Sequence, residues 1–178
     1  MMNDKQIFSG FLSQEGSRSI SYRSSRNISC VDDRMIDRLV EMALTDDVNA
    51  RLCLNSSVED FVHSMIIVEL ENRFPLPKSN VGKDQIFHII RGRMGILTFD
   101  SLGNITEKIV LEETGNCKVF FVGAGTYHCN VPLGRYAVHH EVRTGPFTNT
   151  NDKLTLDRFK SVDSFESRLQ LRQFFEQS

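Results

Sequence analysis

Six short runs of β-branched, aromatic and other apolar residues recur between positions 65 and 142, with turn-forming residues between several of them. They are Met65–Val68, Gln85–Ile90, Met94–Phe99, Ile105–Leu111, Val119–Val122 and Tyr136–Val142. Arg91-Gly92-Arg93 separates the second run from the third. Asp100-Ser101-Leu102-Gly103-Asn104 supplies the Gly and Asn of a hairpin loop between the third and fourth. Strands this short at this spacing build an antiparallel sandwich or barrel, because the apolar face of one sheet needs another to cover it. The pattern argues against a helical bundle and against an open parallel sheet.

The flanks read differently. Met35/Ile36, Leu39/Val40 and Ala43 recur at helical spacing within Val31–Leu44, and Ser29 and Asp32 are set as a short capping box. Residues 9–27 hold seven serines, two glycines and three arginines with no sustained apolar period, the texture of an exposed arm or a wandering loop, with order against a partner subunit as one form of it. After Gly145-Pro146 the chain turns polar, and a last helix begins near Asp163 with Phe165, Leu169 and Phe174 spaced to dock one face. The expected organisation is a flexible serine-rich arm over 1–28, a β domain with its leading helix over 29–150, and a C-terminal extension with a helix over 151–178. The barrel itself is expected to span about 48–147.

Lys and Arg number 21 against 23 Asp and Glu, a net charge of −2, so no basic excess favours nucleic acid as partner. No apolar run approaches the ~20 residues of a membrane span. Asp4 beside Lys5, with Ser and Gly interrupting the apolar residues that follow, does not read as a signal peptide, and a cytoplasmic location is expected. Cys30, Cys53, Cys117 and Cys129 form no C-x-x-C pair, which argues against a zinc ribbon and for reduced, mostly buried thiols.

The most specific local pattern is Gly123-Ala124-Gly125-Thr126-Tyr127-His128, which resembles the second cupin motif, P-x-G-x-x-H, with Gly123 at the proline position. Gln85-Ile86-Phe87-His88-Ile89-Ile90-Arg91-Gly92-Arg93 resembles the end of the first cupin motif. Together with the hairpin Phe99–Ile105 and the ending Glu141-Val142-Arg143-Thr144-Gly145-Pro146-Phe147, these segments resemble the WbuC family over about residues 30–155. Those are small cupin-fold proteins associated with bacterial O-antigen and capsule gene clusters. The resemblance implies a mainly β cupin jelly-roll barrel with an N-terminal and a C-terminal helix.

It also implies a site. The family's first motif, P-H-x-H-x5-E with the five counted from the second histidine, gives two histidines and a glutamate to a metal. Pro77 matches, but Lys78 stands at the first histidine, Asn80 at the second and Gln85 at the glutamate, which leaves His128 of the second motif as the sole retained ligand. A divalent cation needs neutral imidazoles and negative charge, whereas this set offers an ammonium and two neutral amides. No tightly bound metal or other cofactor is expected.

Each altered residue has two readings. Lys78 is either a solvated loop lysine or an ammonium in the barrel mouth that binds an anion or acts as a base. Asn80 and Gln85 either read a ligand or fill vacated polar space, and Gln85 shares its face with Phe87 and Ile89 while His88 points away. His128 is a pocket acid/base or a hydrogen-bonded relic. Tyr127 either packs or joins His128 and Lys78 in proton transfer. His139, His140 and Glu141 offer, with His128, a rebuilt metal site as the outside alternative, although only one of the two adjacent histidines can share a face with His128.

Three functions follow as expectations. The first is a surface-polysaccharide cupin that binds or acts on a nucleotide-linked or lipid-linked sugar without a metal, with an isomerase- or epimerase-type activity as one form. The second is a non-catalytic small-molecule-binding or regulatory cupin, and the third a structural partner in a biosynthetic complex. A homodimer is expected, since small jelly rolls expose a sheet edge that needs cover.

Overall fold

The computed structural model describes residues 3–15, 19–147, 153–159 and 164–176. A short helix, α1 (Asp4–Ile7), leads into β1 (Phe11–Ser13) and β2 (Ile20–Ser24), and α2 (Asp33–Asp46) follows. Then come β3 (Ala50–Cys53), β4 (Val62–Leu70), β5 (Lys78–Asn80), β6 (Gln85–Arg91), β7 (Arg93–Phe99) and β8 (Ile105–Glu112). The chain continues through β9 (Val119–Val122), β10 (Tyr127–Pro132), β11 (Tyr136–Thr144) and β12 (Lys153–Thr155) to α3 (Ser164–Glu176). The described strands make two sheets, one ordered β1-β2-β3-β4-β11-β6-β9 and the other β12-β5-β10-β7-β8. The strand series gives the expected two-sheet β architecture, in the jelly-roll form that the resemblance implies, with a helix at each end.

Alternation decides what each sheet face meets. Phe87, Ile89, Val122 and Ala137 of the larger sheet pack against Met94, Ile96 and Leu111 of the smaller one and fill one end of the barrel. On the outer face of the larger sheet, Ile36, Leu39, Val40 and Ala43 of α2 cover Ile66, Val68 and Val138. Each such Ile or Leu contributes roughly 1.5–3 kcal/mol of burial. Arg91 at the end of β6 ties the helix down through Asp33, at 2.9 Å, and Asp37. On the outer face of the smaller sheet, Leu171 of α3 joins Phe74, Leu97, Cys129 and Val131. Gly95 makes that docking fit, since a Cβ there would lie 2.4 Å from Cζ of Phe175.

Several sequence expectations change. The expected exposed arm or loop over 9–27 instead contributes strands: β1 pairs with β2, and β2 adds to β3 in parallel as part of the larger sheet. Phe8 is buried there and stacks on Tyr22 with ring centroids 4.4 Å apart. Residues 16–18 of that stretch lie outside the described residues. The helix cap is Asp32 alone, whose side chain accepts from Met35 N, while the Ser29 hydroxyl meets that of Ser24. The predicted start of the last helix, Asp163, also lies outside the described residues. The face assigned to that helix is wrong: Phe165, Leu169 and Phe174 are exposed, and Ser167 and Leu171 are the buried residues of its inner face. A buried serine on that face hid its period. Of the four free cysteines, Cys53 and Cys129 are buried but Cys30 and Cys117 are exposed. No helix among the described residues is long and apolar enough to cross a membrane.

Candidate functional site

The barrel end not filled by the apolar core opens as a cleft of about 670 Å3. Its floor follows from strand parity. His63, Met65, Ile67 and Glu69 alternate along β4 into the cleft, while Ile66, Val68 and Leu70 turn to α2. Lys78 stands opposite His128 in the register of β5 and β10, so the two side chains leave the sheet on one face. Asn80 follows two residues on and stands opposite Lys153 of β12. Arg143 of β11 lies opposite His63 on one side and Gln85 on the other. Lys78, Asn80, Gln85, Glu141, Arg143 and Lys153 therefore share one cavity wall system.

The two amides bind each other. Asn80 Nδ2 donates to Gln85 Oε1, and Gln85 Nε2 donates to Glu141 Oε1 at 2.9 Å. This relay leaves Asn80 Oδ1 buried without a partner among the described residues. His128 sits behind the cleft rather than on its lining; its Nδ1–H donates to the Thr126 carbonyl at 3.0 Å and its ring lies 5.8 Å from that of Phe87. Burial pushes the His128 imidazole below its ordinary pKa.

Other expected residues stand elsewhere. Tyr127 does not face Lys78 and His128: it packs on the opposite face of β10, in the cluster beneath α3. His140 points outward, bonded through Nε2 to Ser64 Oγ at 2.8 Å and opposite His88 in register. The rebuilt set of His128, His139, His140 and Glu141 is therefore divided between two faces. Among the described residues no group of three or more His, Cys, Asp or Glu side chains is placed to share a metal ion. The inherited positions do not fit a divalent cation either, because Lys78 brings an ammonium and the amides are spent on each other and on Glu141.

The cleft has a strong charge bias. Five arginines (23, 51, 73, 143 and 168) and two lysines (78 and 153) line it against Glu69 and Glu141. Burial pushes the Glu69 carboxyl up to about 8, against the pull of Lys78. Burial also works to raise Glu141, but Arg143, His139, Lys78 and the Gln85 amide outweigh it and hold that carboxyl below its usual range. Lys78 is pushed down by burial, and Lys153 to about 8 by the charge of Lys78 and then by burial. Among the described residues neither lysine forms a salt bridge. Arg143 packs over the Phe147 ring at 4.8 Å and Lys153 over it at 5.8 Å. Glu69, Arg143, Lys153 and Arg168 were not picked out from the sequence. Glu69 carried a signal, being a charge that continues the inward parity of Met65 and Ile67 in an otherwise apolar run.

His139 gives a pH dependence. It is 1% exposed, its Nδ1 has no partner among the described residues, and burial pushes its pKa down to about 4. The unfolded chain takes up a proton near 6.5 and the folded one near 4, so stability is full above 6.5 and falls as pH drops through that window. Urea titrations are expected to show a loss of roughly 3 kcal/mol between pH 7 and 4 that His139→Gln abolishes in large part. A wild-type pH profile that His139→Gln leaves unaltered would contradict the assignment.

The sequence matches no family model and no curated protein. Solved structures do resemble the fold. The capsular polysaccharide assembling protein CapF from Staphylococcus aureus superposes with a TM-score of 0.52 at 14% identity, over 61% of this chain and 29% of that one. A cupin superfamily protein from Desulfitobacterium hafniense gives 0.43 at 20% identity, over 54% of this chain and 76% of that one. The cupin domain of Cnp3 from Schizosaccharomyces pombe gives 0.43 at 13%, over 54% and 64%. The chain thus spans less than a third of the staphylococcal protein, and the likeness is one of fold.

Proposed function

We propose that this chain is a cupin of bacterial surface-polysaccharide (O-antigen or capsule) biosynthesis whose cleft takes a sugar diphosphate, nucleotide-linked or lipid-linked, without a tightly bound metal. The observation that carries the reading is the cleft's excess of Arg and Lys, with Lys78 at the position where the resembled family places a metal ligand. A diphosphate offers only acceptor oxygens and negative charge, so it requires such donors. The WbuC-like segments, and the name of the staphylococcal neighbour as a capsular polysaccharide assembling protein, support the polysaccharide setting. Titration calorimetry of metal-stripped protein with UDP-glucose and UDP-N-acetylglucosamine tests the reading, with binding expected for the nucleotide sugars and none for the free sugars.

Proton transfer on the bound sugar is the second reading. It is favoured by Glu69 and Glu141, which share one cleft while their surroundings push their pKa values apart. Incubation with a keto-sugar nucleotide in deuterated water would then place deuterium next to the carbonyl, and Glu69→Gln would stop it. Binding without exchange would leave a non-catalytic binding cupin.

A further inference from the structure

Three polar atoms on cleft-lining residues are buried without a hydrogen-bond partner among the described residues: Glu69 Oε2, Asn80 Oδ1 and Arg143 Nε. Buried polar groups are nearly always paired, so atoms orphaned in a cavity mark where a ligand completes them. They stand at two ends. Arg143 lies opposite Gln85, whose amide meets Asn80, and Lys153 lies opposite Asn80. Glu69, 5% exposed, is six residues along β4 from His63, the residue opposite Arg143, or about 20 Å at the rise of a strand.

The two ends differ in chemistry. At the Glu69 end Arg73 pairs with Asp47 at 2.5 Å and Arg168 Nε donates to the Phe74 carbonyl at 2.6 Å, while Lys78, whose charge acts on both Glu69 and Glu141, lies between the two ends. At the other end Arg143 and Lys153 flank the Phe147 ring and, among the described residues, form no salt bridge. We propose that the ligand lies along the cleft in one direction, its diphosphate between Arg143, Lys153 and Lys78 and its sugar hydroxyls at Glu69, which makes Glu69 the sugar-reading residue. This rests on the sugar diphosphate reading above and adds its orientation. A hydroxyl both donates and accepts, so it suits the free oxygen of Glu69 in either protonation state. A phosphate oxygen only accepts; at the proposed end the Glu141 carboxylate is already engaged by the Gln85 amide and offset by Arg143 and Lys78, whereas the reverse orientation would leave Arg143 Nε unpaired.

Calorimetry with inorganic pyrophosphate, UDP-glucose and UDP-N-acetylglucosamine separates the two ends. Glu69→Ala is expected to weaken both nucleotide sugars about tenfold and to leave pyrophosphate within about twofold of wild type. Lys153→Ala is expected to weaken all three by about tenfold. Glu69→Asp, which keeps the carboxyl but withdraws it by one methylene, carries the same selective loss at smaller size should the alanine variant fail to fold. An equal loss for pyrophosphate and nucleotide sugars in the Glu69 variants, or no loss for either, overturns the orientation while the sugar diphosphate reading stands. Wild-type protein that binds neither pyrophosphate nor the nucleotide sugars overturns both.

Discussion

Lys78→Ala is expected to lower the affinity of the cleft for UDP-glucose and UDP-N-acetylglucosamine by about thirtyfold without lowering the melting temperature. The two halves of that result have one cause. Lys78 is half-buried and forms no salt bridge among the described residues, and burial outweighs the pull of Glu141 and Glu69 on its charge, so the folded protein gains little from it. A bound diphosphate supplies the direct ion pair that Lys78 lacks among the described residues, and a charge-assisted hydrogen bond of this kind is worth about 2 kcal/mol. Calorimetry and thermal melting on one preparation read both quantities. Unchanged affinity would mean that Lys78 is a bystander, and a lowered melting temperature that it is structural.

Gly145→Ala is expected to destabilise the protein by about 3 kcal/mol, read as a lowered denaturation midpoint. A Cβ at that position would lie 1.9 Å from the Asp60 carbonyl oxygen and 2.7 Å from Cδ2 of His63. The strand cannot simply retreat, because Gly145 N donates to the Phe61 carbonyl at 2.7 Å and Phe147 N to that of Val58, also at 2.7 Å. Moving away from Asp60 breaks those bonds, and staying keeps the overlap. Gly145 also lies between Arg143 and Phe147, so the substitution displaces the phosphate end of the cleft, and binding falls with stability. An alanine variant with wild-type stability would show that the close approach of the two segments is not needed.

The strand series made the fold legible, because a period of two with glycine turns survives in the sequence whatever the site does. The runs beginning at Met65, Gln85, Met94, Ile105, Val119 and Tyr136 all lie in β strands of the two sheets. What stayed hidden was structure held by partners rather than by pattern. β1, β2, β3 and β12 are three to five residues long and gain their order by adding to an existing sheet, so their serines and arginines show no apolar period. Parity placed Gln85 inside and His88 outside, and it set His139 and His140 on opposite faces. It would equally have placed Tyr127 apart from His128. Lys78 was legible only as a departure from a resembled motif. Arg143, Lys153 and Arg168 come from strands and a helix distant in the chain, and only the closed barrel brings them to one cleft.

The account turns on a cleft that binds its anion with protein cations rather than through a metal. The direct measurement is a calorimetric titration of chelator-treated protein, its metal content checked by elemental analysis, with UDP-N-acetylglucosamine at two salt concentrations. The account predicts binding by the metal-free protein that weakens as salt rises and does not strengthen when Zn, Mn, Fe or Ni is restored. Binding that appears only when one of those ions is added back, in proportion to the ion bound, would contradict it.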